Sequence, residues 1–365
     1  MSASGDDQPT RKRWRLVPIP VLTGVLAVIG AVVLAVFLSG CQGLFGGQGP
    51  TKGPGQGPYR VTATVPVGRA PRGAAVDPTT HTVYVVSTGD DPNKVDGTVS
   101  VIDASPRTVT ATVPDIGKYP YGVAVDPGSH TVYESNSESN SVSVIDGSTR
   151  TVTATVPVGK QPLDVAVDPG THTIYVVNHD DSTVSVIDAS ARTVTATVPV
   201  GKDPHGVAVD PGTHTVYVTN TADNTVSVID ASTRTVTATV PAGKEAWRVA
   251  VDPGSHTVYV TNFKDNTVSV IDASTRTVTA TVPVGEDPIG VAVDPGSHTV
   301  YVANEVSRTV SVIDASTRTV TATVPVGGNP VQVAVDPGTH TVYVANGISP
   351  GHRDSDNTVS VIESR

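Results

Sequence analysis

The sequence predicts an all-β fold, a seven-bladed β-propeller made of four-stranded antiparallel blades. From Tyr59 onward the motif Val-Ala-Val-Asp-Pro, or a close variant, occurs seven times, first 49 residues apart and then at 42-residue spacings. Each unit holds four short segments rich in valine and threonine, separated by turn residues. Repeats of this length are typical of solenoids, propellers and arrays.

One unit shows the strand pattern that recurs along the chain. Its four predicted strands are Val207–Asp210, His214–Asn220, Thr225–Asp230 and Arg234–Pro241. Four short strands joined by tight turns form the antiparallel meander of a propeller blade. The first three strands are apolar and we expect them to be buried, with the threonine-rich fourth outermost. The period-2 pattern argues against helical repeats, and the scarcity of leucine argues against leucine-rich repeats.

The two ends of the repeat region predict a closed ring. The first strand, Val61–Pro66, is of the fourth type, and the last, Thr358–Glu363, is of the third type. The N-terminal strand therefore pairs with the C-terminal one and completes the seventh blade. Closure of this kind removes open sheet edges, so the pattern favours a ring over an open solenoid.

Residues 1–40 are predicted to be a signal peptide or membrane segment. A basic stretch, Arg11–Arg15, precedes an uncharged apolar run that ends in Leu38-Ser39-Gly40-Cys41. This ending resembles the lipobox of bacterial lipoproteins, and residues 38–41 then make Cys41 the lipidation site. The alternative is an uncleaved transmembrane anchor, because about 20 apolar residues span a bilayer. Both alternatives place the body at the cell membrane, on the extracytoplasmic face.

Residues 41–58 are rich in Gly, Pro and Gln and are predicted to be a flexible tether before the propeller, residues 59–365. The whole chain has a formal net charge of −10. No basic cluster occurs in the repeats, so we expect no nucleic acid partner. The single cysteine excludes a disulfide within the chain.

The segments Tyr217-Val-Thr-Asn220 and Tyr259-Val-Thr-Asn262 spell a signature that other units vary. The repeat region, residues 59–365, resembles the YVTN-family (YncE-like) β-propeller. Blade one departs from the signature at Ser87, and blade two departs from it at Glu134. The resemblance implies an extracytoplasmic or surface-layer-associated propeller. Related propellers include lactonases, a streptogramin lyase and cofactor-bearing reductase domains, so the resemblance does not select a chemistry.

The positions at which the near-identical repeats differ are the candidates for function. They lie at the start of each innermost strand and in the loop between the second and third strands, which share one face of a propeller. Aromatic, basic and acidic groups converging on a concavity suit a small ligand or a peptide. The alternative is neutral drift on an exposed rim. The candidate ligand-binding residues at this channel mouth are Arg72, Tyr121, Asp164, His205, Trp247, Arg248 and Gln332.

Two longer loops, in blades one and seven, are weak candidates for a hard cation such as Ca²⁺. Their carboxylates are Asp90, Asp91, Asp96, Asp354 and Asp356. The alternative is a pair of solvated polar loops. One histidine also opens the second strand of each blade, and we expect a turn or inter-blade packing role for it. These histidines lie too far apart for a shared metal ion.

No nucleophile motif, phosphate loop or metal-protease motif occurs in the repeats. His205 and Asp164 are a weak candidate for a general base and its orienting carboxylate. We therefore expect a monomeric, membrane-tethered binding or protein-interaction scaffold with a protein or cell-envelope partner, no cofactor and no catalysis. The alternatives are a lactonase- or lyase-like enzyme and an accessory to a redox or metal pathway. An enzyme predicts a buried ionisable cluster at the channel, and a scaffold predicts an open rim with exposed aromatic residues.

Overall fold

The computed structural model describes residues 58–89, 97–114, 116–347 and 356–364. Within these ranges no helix is long and apolar enough to cross a membrane. The predicted lipobox, including Cys41, and nearly all of the predicted tether lie outside the described residues.

The described residues form 28 strands in seven four-stranded antiparallel sheets, one for each predicted blade. β1 (Tyr59–Pro66) belongs to blade seven. The strands of blades one to three follow from the innermost outwards: β2 (Pro71–Asp77), β3 (Thr82–Ser87), β4 (Thr98–Asp103), β5 (Thr108–Val113); β6 (Pro120–Asp126), β7 (Thr131–Asn136), β8 (Ser141–Asp146), β9 (Thr151–Pro157); β10 (Pro162–Asp168), β11 (Thr173–Asn178), β12 (Thr183–Asp188), β13 (Thr193–Pro199).

Blades four to six repeat the same order, and blade seven contributes three further strands. Their bounds are β14 (Pro204–Asp210), β15 (Thr215–Asn220), β16 (Thr225–Asp230), β17 (Thr235–Pro241); β18 (Ala246–Asp252), β19 (Thr257–Asn262), β20 (Thr267–Asp272), β21 (Thr277–Pro283); β22 (Pro288–Asp294), β23 (Thr299–Asn304), β24 (Thr309–Asp314), β25 (Thr319–Pro325); β26 (Asn329–Asp336), β27 (Thr341–Gly347), β28 (Thr358–Ser364).

Blade seven closes the ring as the sequence predicted. Its sheet has the order β1-β28-β27-β26, with β1 outermost and antiparallel to β28. Val61 lies opposite Ile362, and Val65 lies opposite Val359. Both ends of the repeat region are therefore held in one sheet.

The hydrophobic core lies between neighbouring blades. Tyr175 and Val184 of blade three, for example, pack with Val216, Val218 and Ile229 of blade four. The first three strands of each blade are largely buried, whereas the threonine-rich fourth strand is mostly exposed on both faces. The predicted order of strands from channel to perimeter is confirmed. Each blade stabilises the next by burying valine, isoleucine and tyrosine side chains.

The seven histidines that open the second strands join adjacent blades. In the third and fourth blades, Nδ1 of His214 lies 2.7 Å from Oδ2 of Asp168. The other oxygen of Asp168 accepts the Gly170 N–H at 3.0 Å, which fixes the turn of its own blade. The predicted inter-blade role of the histidines is confirmed. The seven pairs, each running to the preceding blade, are His81–Asp336, His130–Asp77, His172–Asp126, His214–Asp168, His256–Asp210, His298–Asp252 and His340–Asp294.

Candidate functional site at the channel mouth

The variable residues at the start of the innermost strands lie where the strand ladder is irregular. In β14 the regular pairing with β15 is interrupted between Pro204 and Val207, and in β18 it is interrupted between Ala246 and Val249. Such irregularities redirect side chains out of the regular pleat. The same break recurs in the other innermost strands, so each blade presents a variable side chain at the same level of the ring.

Aromatic side chains from three blades form a continuous row at this level. The Tyr121 hydroxyl lies 3.2 Å from Nε2 of His205, and the two rings meet edge to face at 5.6 Å. The His205 ring lies against Trp247 with 4.1 Å between centroids, and Trp247 stacks on Phe263 at 5.2 Å. The row ends at Lys264, whose Nζ lies 4.4 Å from the Phe263 ring centroid. Blades two, four and five are therefore linked across the channel mouth.

Arg72 approaches this row from blade one. Its Nη2 donates a hydrogen bond to the Tyr119 hydroxyl at 3.2 Å. Its guanidinium carbon lies 5.8 Å from the Tyr119 ring centroid and 5.9 Å from that of Tyr121, within the range of cation–π attraction. Arg72 is only 8% exposed.

Arg248 of blade five and Asp164 of blade three form a buried ion pair. The second oxygen of Asp164 accepts the Val207 N–H at 3.0 Å. The guanidinium carbon of Arg248 also lies 5.4 Å from the Tyr121 ring centroid. Burial alone would lower the pKa of Arg248, but the Asp164 carboxylate and Tyr121 raise it above the usual value, so Arg248 stays charged.

The sequence suggested that His205 is a general base oriented by the Asp164 carboxylate. In the structure, His205 and Asp164 do not pair. Asp164 is occupied by Arg248 and by a backbone amide, and His205 contacts Tyr121 instead. Burial, with smaller contributions from Arg248 and His179, holds the pKa of His205 well below its usual value. His205 is therefore neutral at physiological pH.

The candidate residues fill the channel mouth and bury one another. Arg72, Asp164, His205 and Arg248 are each 8% exposed or less. This arrangement differs from an open rim with exposed aromatic residues, because long side chains from opposite blades meet over the channel. Several polar atoms in the cluster are fully buried and make no hydrogen bond within the described structure: Arg72 Nε, His205 Nδ1, Trp247 Nε1, Arg248 Nε and Gln332 Oε1.

Gln332 of blade seven shares the level of the cluster without joining its hydrogen bonds. Its backbone lies against Gly290 of blade six, where an added Cβ would come within 2.7 Å of the Gln332 Cα. Gly290 is thus required for the close approach of two innermost strands.

The cation candidates are only partly covered by the described ranges. Asp90, Asp91, Asp96 and Asp354 lie outside them. The carboxylate of Asp356 faces the backbone at Gly327, where an added Cβ would lie 2.7 Å from Oδ2. Across the described residues, no group of three or more His, Cys, Asp or Glu side chains has a metal-binding arrangement.

Three residues that contribute to the cluster were missing from the sequence prediction. Tyr119 precedes the innermost strand of blade two, and Phe263 and Lys264 follow β19. The corresponding positions of the other blades also vary, which was the available signal. Their contacts depend on side chains reaching across the ring, and sequence position alone does not give that distance.

Glu134 of blade two lies buried outside the channel mouth. It pairs with Val123 and Ser143 in the sheet, at a position where the other six blades have valine. The residue is 0% exposed, and neither carboxyl oxygen makes a hydrogen bond within the described residues. Burial raises the pKa of Glu134 well above its usual value, and Asn136 and Ser143 offset only part of that effect.

A separate open groove of about 360 Å³ lies beside β24 and β25, and no residue of the cluster lines it. It is lined mainly by residue types that recur in every blade, so it follows from the repeat and distinguishes no blade chemically. Its lining consists of Pro283, Val284, Gly285, Ser307, Thr309, Ser311, Val320 and Thr323.

Comparison with known proteins agrees with this architecture. A chain of a solved structure titled "Kuenenia stuttgartiensis Hydrazine Synthase" is similar, with a TM-score of 0.69 and 20% sequence identity over 87% of this chain and 98% of that chain. At this identity the likeness concerns the fold alone. A comparison with curated proteins gave no match. The sequence model described as "YNCE-like beta-propeller" matches residues 160–256 and 244–354, more than half of the chain. The chain therefore belongs to the YNCE-like β-propeller family.

Proposed function

We propose that this protein is a membrane-tethered, extracytoplasmic binding protein whose ligand site is the channel mouth. The observation that carries the proposal is the convergence of Arg72, Tyr121, His205, Trp247 and Arg248, from four blades, into one buried polar cluster. The surrounding repeats are otherwise nearly identical. Polar groups brought together on a rigid scaffold, with aromatic surfaces beside them, are typical of small-molecule sites.

The buried atoms without hydrogen-bond partners support a ligand site more than neutral drift. Leaving a buried donor or acceptor unpaired costs about 1–3 kcal/mol. Five such atoms occur in the cluster, on Arg72, His205, Trp247, Arg248 and Gln332, when Nη1 of Arg248 is left out because it is ion-paired with Asp164. A ligand or water that pairs with these atoms would recover part of that cost.

A lactonase- or lyase-like enzyme is the second candidate, and one observation favours it. The cluster is buried and contains ionisable groups with shifted pKa values, which is common at catalytic sites. His205 and Tyr121 are in hydrogen-bond contact and are the groups that would exchange a proton. Mass analysis of the recovered ligand separates the two functions: a binding protein returns it unchanged, and an enzyme returns a product.

The binding site is tested by thermal unfolding of the full-length protein in detergent, against neutral, cationic and anionic cell-envelope fragments. A ligand that binds only the folded state raises the midpoint. We expect the rise in the wild type and in Thr233→Ala, a variant in the exposed turn between β16 and β17, but not in Trp247→Leu. A panel without any shift, or an equal shift in Trp247→Leu, contradicts the proposed site.

The tether is tested separately, in cells. We expect a labelled fatty acid to be incorporated into the wild type and not into Cys41→Ser. The variant should then run as the unprocessed precursor. Fatty-acid label that persists in Cys41→Ser, or a wild type that stays unlabelled and membrane-bound, contradicts the lipid anchor. The second result favours the transmembrane alternative.

A further inference from the structure

We infer that the channel mouth binds a small oxyanion, a carboxylate, phosphate or sulfate group, with Arg72 as its main counter-charge. The inference rests on the proposed function, since it names the ligand class of the same site. It follows from the charge balance of the cluster, the direction of its hydrogen-bonding capacity and the position of Tyr121.

The buried cluster carries one positive charge that no described carboxylate neutralises. Arg248 is paired with Asp164. Arg72 is only 8% exposed, and its polar and cation–π partners among the described residues are the Tyr119 hydroxyl and the rings of Tyr119 and Tyr121. A buried charge without a counter-charge is costly, so the site favours an anionic partner.

The unsatisfied polar groups of the cluster are mostly donors. Within the described structure, no acceptor meets the buried N–H groups at Nε of Arg72, Nε of Arg248 and Nε1 of Trp247. Guanidinium and indole nitrogens donate and never accept at physiological pH. A neutral ligand that carries only hydrogen-bond donors would leave these N–H groups unpaired. The oxygens of an oxyanion, in contrast, can accept hydrogen bonds from several of them. Charge-assisted bonds of this kind are about twice as strong as neutral ones.

Tyr121 lies within cation–π distance of both guanidinium groups. The guanidinium carbons of Arg72 and Arg248 lie 5.9 Å and 5.4 Å from its ring centroid. The N–H groups concerned are fully buried, so an oxyanion enters only if a side chain of the cluster moves. Trp247, which is half-buried and stands between His205 and Phe263, is the side chain positioned to do so.

The test uses full-length protein in detergent with sodium phosphate, sulfate and acetate against chloride at constant ionic strength. The readouts are the unfolding midpoint and tryptophan fluorescence, to which Trp14 contributes beside Trp247. Phosphate and sulfate also stabilise proteins non-specifically, so each titration is repeated on Arg72→Gln and on the perimeter variant Arg234→Gln. The described hydrogen bond of the Arg234 side chain runs to the Thr195 carbonyl in the neighbouring outer strand.

We expect saturable binding of at least one oxyanion by the wild type and Arg234→Gln, weakened about 10-fold or more in Arg72→Gln. In chloride, Arg72→Gln should be as stable as the wild type or more stable, because it removes an unpaired buried charge. Arg248→Gln should be less stable, because it leaves Asp164 unpaired. Saturable binding that is unchanged in Arg72→Gln overturns the inference, as does a lower stability of Arg72→Gln in chloride.

Failure of this inference is distinguishable from failure of the proposed function. If oxyanions give only equal, non-saturating shifts in all variants, while a neutral or cationic fragment binds and depends on Trp247, the site stands and its oxyanion preference is refuted. If no member of either panel shows a shift that depends on the cluster, both are refuted. The separate titrations of phosphate, sulfate and acetate identify which oxyanion the site prefers.

Discussion

His81 in blade one lies with its Nδ1 2.7 Å from Oδ2 of Asp336 in blade seven. The same contact joins each of the other six pairs of neighbouring blades, for example His256 to Asp210 at 2.6 Å. The interface between blades seven and one, where the ring closes, therefore has the same His–Asp contact as the other six interfaces. This holds even though blade seven is assembled from both ends of the repeat region.

These contacts make stability depend on pH. Burial alone would raise the pKa of Asp252, but hydrogen bonds, first of all that with His298, hold it below its usual 3.8. The same hydrogen bond, now with Asp252 as the partner, raises the pKa of His298 above its usual 6.5. The contribution of Asp252 is lost as pH falls through its lowered pKa, and that of His298 is lost as pH rises through its raised pKa. We expect the unfolding midpoint, measured by circular dichroism, to be highest between about pH 4 and 6.5.

The variant His298→Gln isolates the contribution of the His298–Asp252 pair to the pH dependence of stability from that of other titrating groups. We expect the unfolding midpoint of His298→Gln to be lower than that of the wild type below about pH 6.5. Above that pH, the midpoint of the variant should fall less steeply. His179→Gln is the matched control, because His179 bonds to the Pro204 carbonyl and pairs with no aspartate of the described ranges. A pH profile of His298→Gln that runs parallel to that of the wild type would contradict the prediction.

Replacing the buried carboxyl of blade two should stabilise the protein. We expect Glu134→Val to raise the free energy of unfolding by about 1–3 kcal/mol near neutral pH, because it removes a fully buried carboxyl group that Asn136 and Ser143 stabilise only in part. The raised pKa gives the sign of the pH effect: the penalty grows as pH rises above the usual 4.5 towards the folded-state pKa. The gain from Glu134→Val, measured by chemical denaturation, should therefore be smallest in acid.

The reciprocal change gives the control. Val176 occupies the equivalent position in blade three and is 0% exposed. We expect Val176→Glu to destabilise the protein with the same dependence on pH. A neutral or destabilising effect of Glu134→Val contradicts the prediction.

The asparagine of the Tyr-Val-Thr-Asn signature should be important for stability. Asn262 donates to the Thr267 and Ser269 hydroxyls at 2.9 Å and accepts the Gly243 N–H at 3.0 Å. We expect Asn262→Ala to cost about 2–4 kcal/mol in chemical denaturation, because several buried groups lose their partner. Ser274→Ala, in an exposed turn, should cost less than about 0.5 kcal/mol. Equal effects would show that the signature asparagine is not a structural anchor.

Removing one partner of the ion pair between Arg248 and Asp164 should strongly lower the free energy of unfolding. Replacing both partners with apolar side chains should lower it much less. We expect Asp164→Ala to cost about 3–5 kcal/mol, since it leaves a buried guanidinium unpaired. The double variant Asp164→Leu with Arg248→Met should recover most of that loss. Glu363→Ala breaks the more exposed pair with Arg107 and should cost less than about 1 kcal/mol. A double variant as unstable as Asp164→Ala would indicate that packing, and not the unpaired charge, determines the loss.

The fold could be predicted from the sequence because every blade repeats the same local signals. The alternation in Thr215–Asn220, for example, gives a strand, and Pro211 and Gly212 give the turn before it. The complementary strand types at Val61 and Thr358 predicted the closure. These are properties of short segments and of their order, which a sequence contains in full.

The candidate site could be predicted only as a set of positions. The sequence placed His205, Asp164 and Arg248 at one level of the ring, but it did not give their partners. Arg248 reaches from blade five to Asp164 in blade three, and Tyr121 reaches from blade two to His205 in blade four. Such contacts depend on side-chain length relative to the channel width, a three-dimensional quantity that no repeat pattern contains.

The uniform His–Asp contacts also have an evolutionary consequence. Each blade offers an aspartate to the blade after it and a histidine to the blade before it, so a duplicated or deleted 42-residue unit finds matching partners on both sides. Changes in copy number by unequal recombination are therefore tolerated by the interfaces themselves. What selects seven copies is then the geometry of a closed ring and the few side chains that meet across its centre.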